Sequence, residues 1–338
     1  MVRVALIGAG KMGLSHLSLL GAHPNVEIVG VNDTSKMVLD VLQKYTPFPC
    51  FTDYTKMLDV TKPDAAFVVV PTKFHSTIVK DLLTRNINVF TEKPFCLTAE
   101  DGLPLVKLAQ EKRLVNQVGY HNKFIGTFNE VKKIVDAGFL GEIHHFAGEA
   151  YGPVVVKKKQ DTWRSDPKEG GGCLMDYASH VIDLINYILS PVKNVTGSLL
   201  KSIFSNSVED AVYALLQLEN NISGTLSVNW SDETYRKMST SITIMGSKGK
   251  IISDASELKV FFKTTECPQG YSKGWNVKYI TDLTEQVNFN LRGEEYTSQI
   301  DYFINAVDKK IPNIKNTFET SWYTDRAIDL IKKSSKSN

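Results

Sequence analysis

The sequence predicts an α/β chain in two parts: a doubly wound parallel sheet, then an α+β domain with a mostly antiparallel sheet. Three observations lead there. Continuous apolar runs alternate with helical patterns from the N-terminus to about residue 121, as strands buried between two helix layers require. The first run opens a glycine-rich turn, Gly8-Ala9-Gly10-Lys11-Met12-Gly13, that leads straight into a helix. Past Gly119 the period changes. Ile222–Trp230 alternates apolar residues or glycine with Ser, Thr and Asn, so one sheet face lies on a core and the other is exposed.

Taken in order, Val4–Ile7 is a central strand, and the glycines after it permit a tight turn, close approach to a pyrophosphate and close helix packing. The phosphates would rest on the helix N-terminus. A second strand, Val26–Asn32, ends in Asp33, twenty residues past Gly13, where a carboxylate meets ribose hydroxyls. A short strand near 49–51, a helix over Tyr54–Val60, a strand over Asp64–Val70 ending at Pro71-Thr72, and a helix over His75–Arg85 follow. The strand at Asn88–Thr91 stops at Glu92-Lys93-Pro94, because proline offers no ladder N–H and biases Lys93 away from helix. That places a lysine at the carboxyl edge of the sheet, where open parallel sheets bind ligands. A helix over Thr98–Lys112 and a strand over Leu114–Val118 close the first part.

The second part opens with a helix over Phe124–Ala137, a strand over Glu142–Ala150 and an irregular stretch, Tyr151–Gly172. Gly170-Gly171-Gly172 introduces a helix over Leu174–Leu189, and strands dominate from Val195 to Tyr279. Helices over Glu294–Asp308 and Thr317–Lys333 precede a polar tail, Ser334–Asn338. The resulting division is 1–121 for dinucleotide binding, 122–316 for substrate and oligomerisation, and 317–338 as a C-terminal helix and tail.

Composition excludes several classes. Among 338 residues, 39 Lys and Arg face 37 Asp and Glu, a net charge of +2 that gives no reason to expect nucleic acid or a membrane surface. The four cysteines are scattered without metal-ligand spacing, which argues against a metal site or disulfides and for a cytoplasmic protein with reduced thiols. The N-terminal apolar run is too short for a signal peptide or membrane span.

Asp33 would repel a 2′-phosphate, favouring NAD, with NADP the lesser candidate because Lys36 is near. On the helix after the triple glycine, Asp176, His180 and Asp183 fall at i, i+4 and i+7 on one face. Such a stripe can be a wet helix face, yet Leu184 and Tyr187 leave little of this helix for water. A histidine held by a carboxylate one turn away suits proton transfer. His16 is expected to pack on the first helix, His75 and His121 follow strand ends within reach of the ligand edge, and Lys157-Lys158-Lys159 reads as a solvated loop or an anion contact.

These motifs together resemble the Gfo/Idh/MocA oxidoreductases, the family of glucose–fructose oxidoreductase and inositol 2-dehydrogenase. The matching pieces are Gly8–Gly13, Pro71 with His75, Glu92-Lys93-Pro94, Gly119–Phe124, Trp163-Arg164, and Gly170–Gly172 with Asp176, His180 and Asp183. The resemblance implies a Rossmann domain joined to a domain whose large open sheet packs in homo-oligomers, dimers or tetramers. It implies a catalytic group of Lys93, Asp176 and His180, and substrates that are sugars, cyclitols or sugar nucleotides. Cofactor contacts are implied for Gly8, Gly10, Lys11, Met12, Gly13, Asp33, Pro71, Thr72, His75, Glu92, Lys93, Trp163 and Arg164. Substrate contacts are implied for Lys93, Tyr120, Asn122, Asp176 and His180. Position 123 departs from the family, which often carries Arg where this chain has Lys.

The expected reaction is reversible oxidation of a secondary ring hydroxyl to a ketone. His180 acts as base, Asp176 orients it, and Lys93 bonds the same oxygen in a shared cleft. Two other readings use the same fold: an NAD-dependent glycoside hydrolase with transient redox, and a non-catalytic dinucleotide sensor.

Overall fold

The computed structural model describes residues 1–155, 163–287, 290 and 293–336. They form two units, one of Met1–His121 with Gln286–Trp322, the other of Asn122–Glu285 with Tyr323–Asn338.

In the first unit, strands alternate with helices as β1 (Val2–Ile7), α1 (Lys11–Ala22), β2 (Val26–Asn32), α2 (Lys36–Tyr45), β3 (Cys50–Phe51), α3 (Tyr54–Thr61), β4 (Ala65–Val68), α4 (His75–Thr84), β5 (Asn88–Thr91), α5 (Ala99–Glu111) and β6 (Asn116–Val118). The strands form one sheet in the order β3-β2-β1-β4-β5-β6, every pair parallel. Sequence order reverses between β1 and β4, so the crevice at their carboxyl ends is the ligand position of a doubly wound sheet. Val4, Leu6, Phe67 and Phe90 are fully buried, as a sheet covered on both faces requires. The helix α2 has no counterpart in the sequence reading.

The second unit contains α6 (Gly126–Asp136), β7 (Ile143–Tyr151), α7 (Ser179–Ile188), β8 (Val192–Lys201), β9 (Ala211–Leu218), β10 (Ser223–Asn229), β11 (Ser239–Gly246), β12 (Gly249–Asp254), β13 (Glu257–Phe262), β14 (Gly274–Tyr279) and the short α8 (Ile280–Leu283). Its eight strands run in the order β14-β13-β12-β11-β7-β10-β9-β8, antiparallel except for β7 with β10. Burial alternates along the strands: Leu226 and Val228 are covered, while Leu215, Trp275 and Tyr279 on the opposite face are more than half exposed.

Two helices follow, α9 (Glu294–Lys309) and α10 (Phe318–Ser335). The sequence reading kept 122–316 together, whereas residues 286–322 return to the first unit. The cause is the apolar stripe of α9: Ile300, Phe303 and Ile304 join Leu6, Phe67 and Phe90 in one core cluster. A helix pattern shows which face is apolar but not which layer it covers. The expected helix over Leu174–Leu189 also divides. Residues Leu174–Ala178 form one π-helical turn before α7 begins, the kind of bulge that frequently marks functional sites.

Candidate active site

The glycine loop follows β1. Gly8 has φ of +97°, and a Cβ there would collide with the Val69 carbonyl after β4, so only glycine lets the two strand ends approach. Gly13 packs on the Gly8 carbonyl and is equally intolerant of a side chain. Gly10, the exposed N-cap of α1, has open space where its Cβ would be, and α1 carries neither a side-chain cap nor an acidic first turn. The amide ends of this helix therefore suit an anion. Lys11 is exposed and Met12 half-buried beside them. At the end of β2, the half-buried Asp33 accepts from the Ala9 N–H at 2.7 Å and the Ser35 N–H at 2.8 Å. Its carboxylate is thus held against the glycine loop, with lone pairs remaining for ribose hydroxyls. The elements fit a dinucleotide. A cavity of about 920 Å³ lies elsewhere, at the amino ends of the strands by Val2, Asp64 and Asn88.

Beyond β4, Pro71 is exposed and Thr72 is buried at the start of a single 3₁₀ turn. His75 is fully buried, with Nε2 3.0 Å from the Val70 carbonyl and Nδ1 3.1 Å from the carbonyls of Pro94 and Phe95. Burial pushes its pKa down despite these acceptors, which favours a neutral ring. His75 thus ties the turn after β4 to the loop after β5. That loop carries Glu92, Lys93 and Pro94, and the Lys93–Pro94 peptide is cis. Glu92 faces His16 on α1 at 2.6 Å. Lys93 is half-buried at the carboxyl edge of the sheet. Tyr120, just past β6, lies wholly within the apolar core, and His121 stacks on Tyr296 with ring centres 4.7 Å apart.

In the second unit the triple glycine shapes the remaining candidates. Cβ atoms on Gly171 and Gly172 would collide with the Arg164 carbonyl and the Glu209 carboxylate, and Gly172 has φ of +105°. The Gly172 N–H donates to the Arg164 carbonyl at 3.0 Å. This packing sets the turn Trp163–Ser165 against the π-helical turn. Arg164 Nε then donates to Asp176 Oδ2 at 2.8 Å, while its guanidinium lies 4.7 Å over the half-exposed Trp163 ring. Asp176 is 2% exposed and His180 4%. Asn122 is buried, and Lys123 places Nζ 2.8 Å from Asp183 Oδ1, both side chains almost fully enclosed. Lys123, left open by its sequence position, is committed to Asp183. The sequence reading missed two partnerships, His16 with Glu92 and Lys123 with Asp183. The signal for the first was a histidine within the apolar stripe of α1 at Gly13, His16, Leu17 and Leu20, because a buried imidazole needs a polar partner. The stretch Lys157–Lys159 lies outside the described residues. Among those residues no cluster of metal ligands occurs, and no helix is long and apolar enough to cross a membrane.

Comparison with known proteins bears on both units. Residues 2–120 match the family model described as an oxidoreductase family with an NAD-binding Rossmann fold, and residues 128–252 match the GFO/IDH/MocA C-terminal domain. An uncharacterized oxidoreductase of Schizosaccharomyces pombe is 27% identical over 202 residues, 59% of this chain and 55% of its own length. D-glucoside 3-dehydrogenase of Escherichia coli is 27% identical over 237 residues, 65% of this chain and 67% of the enzyme. The structure of levoglucosan dehydrogenase with NADH and levoglucosan shares the fold, with a TM-score of 0.88 over 99% of this chain and 97% of that one, at 19% identity.

Proposed function

This chain belongs to the Gfo/Idh/MocA oxidoreductases, an NAD-binding family, and on that premise we propose that it reversibly oxidises a secondary hydroxyl of a sugar, cyclitol or sugar nucleotide to a ketone. The observation that carries the reading is one sheet edge in the first unit. It presents a helix N-terminus suited to phosphate, the Asp33 carboxylate locked beneath it, and Lys93 at the end of β5. The glucoside and levoglucosan activities of similar proteins point to the substrate class. Bound NAD supplies the hydride acceptor. As the carbinol C–H pair leaves with its hydrogen, His180 takes the hydroxyl proton. Lys93 donates a hydrogen bond to the same oxygen, opposing the charge that builds there. Asp176, kept close to His180 in sequence and ion-paired with Arg164, holds the histidine segment in position.

The test is an assay of NAD or NADP with D-glucose, methyl β-D-glucoside, levoglucosan, myo-inositol and UDP-N-acetylglucosamine, read by reduced-cofactor absorbance. Stoichiometric NADH from at least one compound, with NAD preferred over NADP, is expected. Binding of NAD without NADH from any of them, or sugar release without net NADH, would overturn the reading.

Localisation and assembly complete the proposal. The four cysteines, Cys50, Cys96, Cys173 and Cys267, are all free, which suits the reducing cytoplasm. The open sheet face carries Tyr213 and Leu215 on β9 and Ile252, Trp275 and Val277 on β12 and β14 at 37–56% exposure, apolar side chains suited to a homo-oligomeric interface. Light scattering is expected to give a dimer or tetramer, and Leu215→Glu with Trp275→Glu should return it to monomer. A monomeric wild-type mass would rule out this assembly.

A further inference from the structure

The sheet edge that holds Lys93 contains a part-buried bridge between a histidine and a carboxylate that the hydride-transfer chemistry does not use. His16 lies in the second turn of α1, is 0% exposed, and places Nε2 2.6 Å from Glu92 Oε1. The other oxygen of the same carboxylate, Oε2, accepts the backbone N–H of Lys93 at 3.1 Å. One carboxylate therefore spans from the helix that follows the glycine loop to the amide of the lysine.

Its surroundings leave it no alternative. The imidazole is enclosed by Phe67 and Phe90, with ring centres 5.9 Å and 5.3 Å away, and both phenyl rings are fully buried. A Cβ on Gly119 would stand 3.0–3.1 Å from all three heavy atoms of the Glu92 carboxyl, so the absent side chain there makes room for the bridge. The Gly119 N–H, in turn, donates to the Thr91 carbonyl at 2.9 Å and fixes the strand end from which Glu92 projects. Charge-assisted hydrogen bonds are shorter and stronger than neutral ones, and a low-dielectric setting strengthens them further. Burial opposes a charge on Glu92, but the His16 bond and the nearby Lys93 charge outweigh it and hold the carboxyl below its usual range.

We propose that His16 and Glu92 are positioning residues for Lys93: the bridge fixes the lysine backbone relative to α1, so that the helix holding the cofactor phosphates also sets the reach of the lysine. This rests on the catalytic reading of Lys93 given above. A shift of about 1 Å at a reacting group can cost on the order of 100-fold in rate, so a device of this kind has a measurable consequence.

Two measurements test it, the first without any substrate. In His16→Phe, which fills the aromatic box but removes the donor, hydrogen exchange at the Lys93 amide is expected to rise at least about tenfold, while the β1 amides stay protected. Unchanged exchange would overturn the proposal whatever the enzyme does. The second is kinetic, with whichever of the five compounds above is turned over. His16→Phe should lower kcat by about 10- to 100-fold with little change in KM for NAD. His16→Gln, whose amide can occupy the Nε2 position, should recover most of it. If His16→Phe does not fold, His16→Leu provides the same readings, since it too removes the ring nitrogen that faces Glu92. In a Lys93→Ala background the His16 substitution should cause no further loss. A further loss of full size there, or wild-type kcat in His16→Phe beside an inactive Lys93→Ala, would overturn the proposal. Wild-type turnover in Lys93→Ala alone, with exchange still raised by His16→Phe, would instead remove the catalytic reading of Lys93 on which the positioning role depends.

Discussion

Alanine at position 180 is expected to lower kcat by about 10²- to 10⁴-fold, the range that a positioned acid–base group contributes, and to leave NAD affinity unchanged. The separation follows from where the groups reside. The glycine loop and Asp33 belong to the first unit and carry their own hydrogen bonds, whereas His180 stands on α7 in the second. The ring also sits where its loss should not unravel the helix, because Val181, Ile182, Leu184 and Ile185 remain fully buried around it. With the imidazole gone, the hydroxyl proton must leave to solvent. Added imidazole should restore part of the activity. Lys93→Ala should lose turnover comparably while keeping NAD binding. Near-normal kcat in either variant would refute the assignment.

Much of this was legible in the sequence where local chemistry leaves little choice. Gly8 and Gly13 must be glycine because a backbone carbonyl occupies the space of their side chains, and Pro94 must end β5 because it lacks a donor. The period-two alternation of Ile222–Trp230 gave β10 and its open face directly. What stayed hidden depended on contacts across long sequence separations. Nothing local distinguishes α9 from a helix of the second unit; its place is decided by Phe303 packing edge-on against Phe67, with ring centres 5.5 Å apart. The π-helical turn at Leu174–Ala178 was likewise hidden, since its spacing of apolar residues also satisfies an α-helix. Glu92 and Lys93 could be placed at a strand end, but that the glutamate turns inward to His16, 76 residues away, required the fold.

The second large effect concerns stability. Lys123 is 1% exposed and Asp183 0%, with 2.8 Å between Nζ and Oδ1, and the ammonium also lies 5.5 Å over the Tyr187 ring. Removing one member of such a pair leaves a charge without water or counterion, which typically costs about 3–5 kcal/mol. Against a total stability of roughly 5–15 kcal/mol, Lys123→Met should produce a large fall in the urea midpoint. The cost must depend on pH in a definite direction. Burial raises the Asp183 pKa to about 6, although Lys123 and Thr324 act to lower it. A folded-state pKa above the ordinary value of 3.8 means that the native chain holds this proton more tightly than the unfolded one. The contribution of Asp183 is therefore fully present below about pH 4 and is lost as pH rises through 6. Without Lys123 the pKa climbs further, so the variant suffers most above pH 7, and its deficit narrows near pH 5, where Asp183 is protonated in both proteins. Lys123→Met combined with Asp183→Leu should recover much of the midpoint at pH 8, because a buried ion pair is replaceable by apolar groups when both charges go together. A deficit equal at pH 5 and pH 8, with no recovery in the double variant, would show that Lys123 contributes packing alone.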